Sequence, residues 1–324
     1  MCFMKRLLSL NAALIMLALC GCGAAASENR LNTRFLYDTV IKLDIECDRE
    51  TLDEAFELCE RYSKLFDRWD SKSDISKINA SDGEIKVSSD TAKLIERSLY
   101  FSRMSDGAFD ITLCPVIDLW DFEGTSLPDR NEIAEALKSV DYGGITVEGN
   151  TVSAKGKKLD VGGIAKGYIA DRLKDFFYKK GVKKGIINLG GNVYSLGEEK
   201  EKIGIAKPFE PQTVMLSVEV SDMSVVTSGI YQRYFEKDGV IYHHIIDPKT
   251  GMSAQTDIQS ATVIGKSSAD CDALATVCVL YGRENAKALI DSLDGYQAIF
   301  ILSDGSVDYT AGLYREENEF YFKR

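Results

Sequence analysis

"LDVGGIAKGYIADRLKDFFYKKGVKKGIINLGGNVYSLG", residues 159–197, decides the fold class. It reads as a strand ending at Asp160, a turn at Gly162 and Gly163, and an amphipathic helix closed by Gly181. A second strand, "KGIINL", runs into another glycine pair, Gly190 and Gly191. Strand, helix and strand in close succession place the chain among mixed α and β proteins. The glycines are also where a backbone could approach a ligand closely. Neither GxGxxG nor GxxxxGK[ST] occurs in the chain, so a nucleotide would be held in some other way. Amides at the start of the helix, together with Lys166, would suit an anion; such a turn can equally do no more than join two elements.

Downstream, "TVMLSVEV" (213–220), "RYFEKDG" (233–239), "VIYHHII" (240–246) and "QSATVIG" (259–265) suit an antiparallel sheet. Pro-Lys-Thr-Gly at 248–251 marks a turn, and "SADCDALATVCVLYG" (268–282) is a helix before a further short helix and a last pair of strands. Upstream, residues 34–46 read as one strand, and Thr51 with Glu54 as a capping box. Ala55, Phe56, Cys59, Tyr62, Leu65, Phe66 and Trp69 then recur at helical spacing, as a core stripe does. Two more helices are expected over 88–107 and 130–140. The expected architecture is α+β, antiparallel sheets covered by helices, without repeat, linker or domain boundary.

A chain of 324 residues, 45% hydrophobic and with five prolines, can bury a sizeable core. Its net charge of −11 argues against a duplex-DNA or anionic-membrane surface, and no nucleic-acid partner is expected. The N-terminus is an export signal: Lys5 and Arg6 precede an apolar run broken by Asn11 and too short for a confident membrane span. The run ends in "LCGC", with Cys22 at the position lipidated in bacterial lipoproteins; an ordinary cleaved signal is the alternative. Residues 1–21 are thus read as a lipoprotein signal peptide, 22–32 as a tether and 33–324 as one domain, exported and anchored to a membrane through lipid. Beyond Cys22 the cysteines are Cys47, Cys59, Cys114, Cys271 and Cys278, an odd number without CxxC, and they are expected as buried thiols.

Two further features look out of place. Asp272 stands in a helix of Ala, Leu, Val and Cys without a Lys or Arg, although an unpaired buried charge is expensive. Thr276 lies one turn on and on the same face, so both oxygens could converge on a hard cation; a first-turn carboxylate favoured by the helix dipole is the alternative. The only histidines, His243 and His244, sit side by side on an expected strand and so point to opposite faces. Either could be a structural hydrogen bonder, but a base working near neutral pH has few other candidates here.

Six blocks occur in a fixed order: "FDRWDSKSDISKINA", "GAFDITLCPVIDLWDF", "LDVGGIAKGYIADRL", "INLGGNVYSLG", "VTSGIYQRYFEKDGVIYHHIIDPKTG" and "SADCDALATVCVLYG". Together they resemble the FAD:protein FMN transferase (ApbE) family of bacterial flavin-handling lipoproteins. The resemblance runs from about residue 33 to the C-terminus. It implies an ApbE-like T-fold architecture, FAD as substrate and Mg²⁺ as cofactor. The implied reaction moves FMN from FAD to a Thr or Ser hydroxyl of an exported acceptor, a flavoprotein subunit of an electron-transfer complex, and releases AMP. By position, Asp272, Thr276 and a backbone carbonyl near Gly163 become metal ligands, and His244 the base. Asn79, Trp120, Asp160, Lys166, Asp171, Thr227, Ser228 and Gly229 become lining of the FAD pocket. Asn192 stands where the family commonly has Asp. A Mg²⁺-dependent FAD pyrophosphatase and a non-catalytic FAD-binding lipoprotein are the competing readings.

Overall fold

The computed structural model describes residues 32–323; the signal segment and Cys22 lie outside the described residues. Eight strands form the main sheet. They are β1 (Thr33–Leu36), β2 (Thr39–Ile45), β6 (Gly185–Leu189), β7 (Asn192–Leu196), β10 (Met223–Gly229), β13 (Ile258–Gly265), β14 (Gln297–Leu302) and β15 (Val307–Tyr309). They are hydrogen-bonded in that order and every pair is antiparallel. A three-stranded sheet holds β3 (Glu84–Lys86), β4 (Thr146–Glu148) and β5 (Thr151–Ser153). A four-stranded one holds β8 (Glu201–Lys207), β9 (Glu210–Val220), β16 (Leu313–Glu316) and β17 (Glu319–Phe322), with β17 parallel to β9. The hairpin of β11 (Tyr234–Lys237) and β12 (Val240–His243) stands apart.

The helices are α1 (Arg49–Phe66), α2 (Asp74–Asn79), α3 (Ser89–Met104), α4 (Cys114–Ile117), α5 (Arg130–Leu137), α6 (Gly162–Lys179), α7 (Ser268–Tyr281) and α8 (Arg283–Asp291). Helices α1, α6, α7 and α8 cover one face of the main sheet, the four-stranded sheet covers the other, and α4 and α5 pack in a separate cluster with the β11–β12 hairpin. β14 shows why its sequence is apolar throughout: Ala298, Phe300 and Leu302 face the helices, while Ile299 and Ile301 face the small sheet. A strand buried on both faces has no solvent side on which to place polar residues. α7 obeys the same logic as a helix, since every residue from Ser268 to Val279 is buried except Thr276. Among the described residues no helix is long and apolar enough to cross a membrane.

Several local expectations are corrected. Residues 34–46 are two strands joined at Tyr37 and Asp38, both with φ of 56°, a turn that neither residue type announces. α1 begins before the expected capping box, because Asp48 is its N-cap and accepts from the Thr51 amide at 2.7 Å. Trp69 lies past the end of α1 and is 71% exposed, so it is not core. Asp160 ends no strand; residues 157–161 are an irregular approach to α6. β12 stops at His243, and residues 244–246 continue without a ladder, held by the His244 amide on the Arg233 carbonyl at 3.1 Å, the Ala254 amide on the Ile245 carbonyl at 3.0 Å and a bridge from Ile246 to Ser253. The five described cysteines are free, and all but Cys47 are buried.

Candidate functional site

α6 and α7 cross at a glycine. A Cβ on Gly167 would sit 2.3 Å from the Ser268 carbonyl oxygen, so only glycine lets these backbones approach so closely. Asp171, one turn further along α6, fixes the crossing: its carboxylate accepts from the Ser268 and Ala269 amides at 2.9 and 3.0 Å. Negative charge at the start of α7 is favoured by the helix dipole, and the same carboxylate also meets Lys174 at 3.2 Å. Asp171 therefore holds the helix that carries Asp272.

Asp272 lies beyond the first turn of α7, whose N-cap is Ser267, and it is 5% exposed. The dipole alone does not account for it. Asp270, which is in that first turn, is paired by Arg97 at 2.5–2.6 Å and by the Tyr296 hydroxyl at 2.6 Å. Asp272 has no ion pair among the described residues. Its Oδ2 accepts from the Gly167 amide at 2.9 Å, the amide one helical turn beyond Gly163. In regular helix geometry the Gly163 carbonyl is directed at that same N–H, on the side of Asp272. Burial raises the Asp272 pKa above the ordinary carboxylate value, while Lys166, the Gly167 amide and Asn192 pull it partly back. Thr276, one turn on, accepts or donates at 3.3 Å with Ser228 and contacts the Asp272 carbonyl at 3.4 Å. It is the one opening in the buried part of α7, on the face of Asp272.

β10 lies under this group. Thr227 pairs with Thr262 on β13 at 2.8 Å, Ser228 reaches Thr276, and Gly229 is covered by the Tyr231 ring, which a Cβ would meet at 2.4 Å. Asn192, at the start of β7, accepts from Ser268 Oγ at 2.6 Å, and its enclosed Nδ2, outside hydrogen-bond geometry with any partner, lies close enough to Asp272 to favour the charged carboxylate.

The two histidines differ sharply. His243 is buried with both ring nitrogens engaged, Nε2 with the Ala254 carbonyl at 2.8 Å and Nδ1 accepting from the Ile245 amide at 3.3 Å. Ser253 brackets its backbone from both sides. His244 is half-buried and has an enclosed Nδ1 with no partner, and no hydrogen bond engages its Nε2 among the described residues. Burial lowers its pKa to about 4, with His243, Arg233 and Lys166 adding to the effect. Lys166 acts on Asp272 and His244 alike and forms no ion pair among the described residues. It is the cation shared by the two groups.

The remaining expected residues, Asn79, Asp160 and Trp120, make structural contacts of their own. Asn79 clamps the approach to α6, donating to the Leu159 carbonyl at 2.9 Å and accepting from its amide at 2.7 Å. Asp160 accepts from the Gly162 amide at 2.8 Å and pairs with Arg68 at 2.9 Å. Trp120 is buried in an aromatic group with Phe122, Phe235 and Tyr242, and donates to the Gly251 carbonyl at 3.1 Å. It ties the turn after the histidines to the body of the protein. Gly167 and Arg68 escaped sequence reasoning. A glycine inside a helix, costly by about 1 kcal/mol relative to alanine, was the available signal for the first; nothing in the pattern singled out the second.

The ApbE family profile matches residues 37–300. The FAD:protein FMN transferase of Treponema pallidum (strain Nichols) is 33% identical over 91% of either chain, and that of Klebsiella pneumoniae (strain 342) 36% identical over 80% of this chain and 84% of its own. Among solved structures, the ApbE protein of Thermotoga maritima superposes with a TM-score of 0.79 at 29% identity, covering 86% of this chain and 96% of that one. The apo flavinyl transferase ApbE of Pseudomonas stutzeri gives 0.75 at 27%, over 84% and 90%. The fold built above, helices over antiparallel sheets, is the architecture of those structures, and the chain belongs to the ApbE family.

Proposed function

We propose that this chain transfers FMN from FAD to a Thr or Ser hydroxyl of an exported acceptor protein, releases AMP, and requires Mg²⁺ to do so. Family membership and curated relatives make it an enzyme, a flavin transferase. One observation carries the rest of the reading: Asp272, a buried carboxylate in no ion pair among the described residues, stands one turn from the Thr276 hydroxyl, and Lys166 acts on it and on the His244 imidazole alike.

The donors fit a small hard cation. Carboxylate, hydroxyl and the Gly163 carbonyl are all oxygen ligands, and few protein ligands with the rest of the shell from substrate phosphate is how magnesium is commonly held. Bound there, Mg²⁺ would counter the charge that develops on a pyrophosphate under attack. The chain's own residues do the remainder. Lys166 and the amides at the start of α6 supply positive potential to an otherwise acidic protein, which would repel a dianion. His244, neutral at pH 7, takes the proton of the acceptor hydroxyl at Nε2. The hydroxyl oxygen then bonds to the FMN phosphorus, the pyrophosphate P–O bond breaks, and AMP leaves with the bridging oxygen. Trp120, Asn79 and Asp171 hold the three segments in place.

Export and lipid anchoring at Cys22 belong to the same proposal, supported by "LCGC" after the apolar run and by the need to meet an exported acceptor. Incubation with FAD, Mg²⁺ and an acceptor tests the reading: flavinylated protein supports it, free FMN would mark a pyrophosphatase, and neither would mark a flavin-binding protein.

A further inference from the structure

Three of the sequence blocks converge on one guanidinium. Arg68, just past α1, has a side chain only 15% exposed. Its Nε pairs with Asp160 Oδ2 at 2.9 Å, Nη2 with Asp118 Oδ1 at 2.7 Å, and Nη1 donates to Cys114 Sγ at 2.8 Å. The Trp69 ring, 4.2 Å away, covers its remaining face. Three of the five guanidinium N–H groups are thus engaged within the protein, by two carboxylates and a thiol. What it governs is Asp160, whose other oxygen accepts from the Gly162 amide at 2.8 Å at the very entrance of α6. The backbone of this segment is already pinned by Asn79 on Leu159 and by the Ile111 carbonyl on the Asp160 amide at 2.8 Å. The Asp160 side chain is held by the Gly162 amide on one oxygen and by Arg68 on the other, and among the described residues Arg68 is the one cation paired with it.

We infer that Arg68 is a positioning residue for flavin-nucleotide binding, which it serves by holding and compensating the Asp160 carboxylate at the start of α6. The inference rests on the flavin-transferase reading. A dianionic pyrophosphate approaching Lys166 and the α6 amides must pass a carboxylate two residues before Gly162. Paired with Arg68, that carboxylate is turned onto the Gly162 amide and its field is offset; released, it repels the ligand and can swing across the helix start. A like charge in that position costs affinity in proportion to the ligand's charge. Riboflavin, which carries none, should be indifferent.

The test is FAD and riboflavin affinity by flavin fluorescence for the unaltered protein, Arg68→Ala, Asp160→Asn and the double variant. Arg68→Ala should weaken FAD binding by about 10–100-fold, the usual worth of a supporting partner, and leave riboflavin binding unchanged. In the double-mutant cycle the loss should vanish: adding Arg68→Ala to Asp160→Asn should change FAD affinity by less than about twofold. Arg68→Lys keeps the charge but not the fork, should lose less than Arg68→Ala, and serves if the alanine variant does not fold. Unchanged FAD affinity in Arg68→Ala, or the full loss persisting on the Asp160→Asn background, would overturn the inference alone. Failure of the unaltered protein to bind FAD would overturn the flavin reading and the inference with it.

Discussion

Replacing His244 by asparagine removes the one imidazole with a free nitrogen, and the structure says what should follow at each pH. Lowering its pKa from 6.5 to about 4 corresponds to about 3 kcal/mol of preference for the neutral ring. The unfolded chain takes up this proton near 6.5, the folded one only near 4. The folded state therefore loses stability as pH falls through that window, by up to about 3 kcal/mol, and loses no more below it. His244→Asn should abolish that part of the acid loss, seen as a smaller gap between urea unfolding curves at pH 7 and 4.5. For catalysis, a ring with so low a pKa is ready to accept a proton at neutral pH but is a weak base. Lys166 and Arg233 help to depress it, and a bound dianion would offset both. The acid limb of kcat/KM should then fall near pH 4, reporting free enzyme, while that of kcat is displaced upward, reporting the complex. The variant should transfer FMN about 10²–10⁴-fold more slowly with little change in FAD affinity. His243→Asn is the control: its satisfied ring predicts a stability loss of about 1–3 kcal/mol with turnover retained. Equal losses of turnover in the two variants, or a loss in His244→Asn explained by weaker FAD binding, would refute the assignment.

Asp272→Asn should keep the fold and lose most Mg²⁺-dependent turnover. Because burial raises its pKa, the metal-free variant should melt higher than the unaltered protein at pH 7, and added Mg²⁺ should no longer raise its Tm; a normal Mg²⁺ response would remove Asp272 from the metal site. Gly167→Ala should destabilise by about 1–3 kcal/mol, since its Cβ must push α6 off α7; helix propensity alone predicts the opposite sign, so a raised Tm would contradict the close crossing. Cys22→Ser should release the protein from membranes without altering the soluble domain's specific activity, and unchanged membrane association would count against the anchor.

Long periodic elements were legible in the sequence because their stripes are long enough to declare a period: α1, α3, α6 and α7 fall where the pattern puts them. Hairpin turns were not. Tyr37 and Asp38 adopt positive φ without a glycine, so β1 and β2 merged into one apparent strand, and β8 and β10 went unread between stronger signals. At the site, Asp272 stood out because a bare carboxylate in an apolar helix contradicts its neighbours, and that contradiction survives folding. Gly163, Lys166 and Thr276 were reachable from spacing and from the family resemblance. Asn79, Asp160 and Asp171 came from the resemblance alone, and the structure puts each of them in backbone or ion-pair contacts that hold the site's elements. Arg68 was invisible because its partners, Asp118 and Asp160, are about 50 and 90 residues away, separations that no local pattern encodes.

The central claim is transfer to a protein hydroxyl, and intact-mass analysis tests it most directly. An exported flavoprotein carrying its target threonine should be incubated with this chain, FAD and Mg²⁺. The acceptor should become heavier by one FMN less water, with AMP released in equal amount and no modification when its threonine is replaced by valine. Stoichiometric free FMN and AMP with an unmodified acceptor would contradict it.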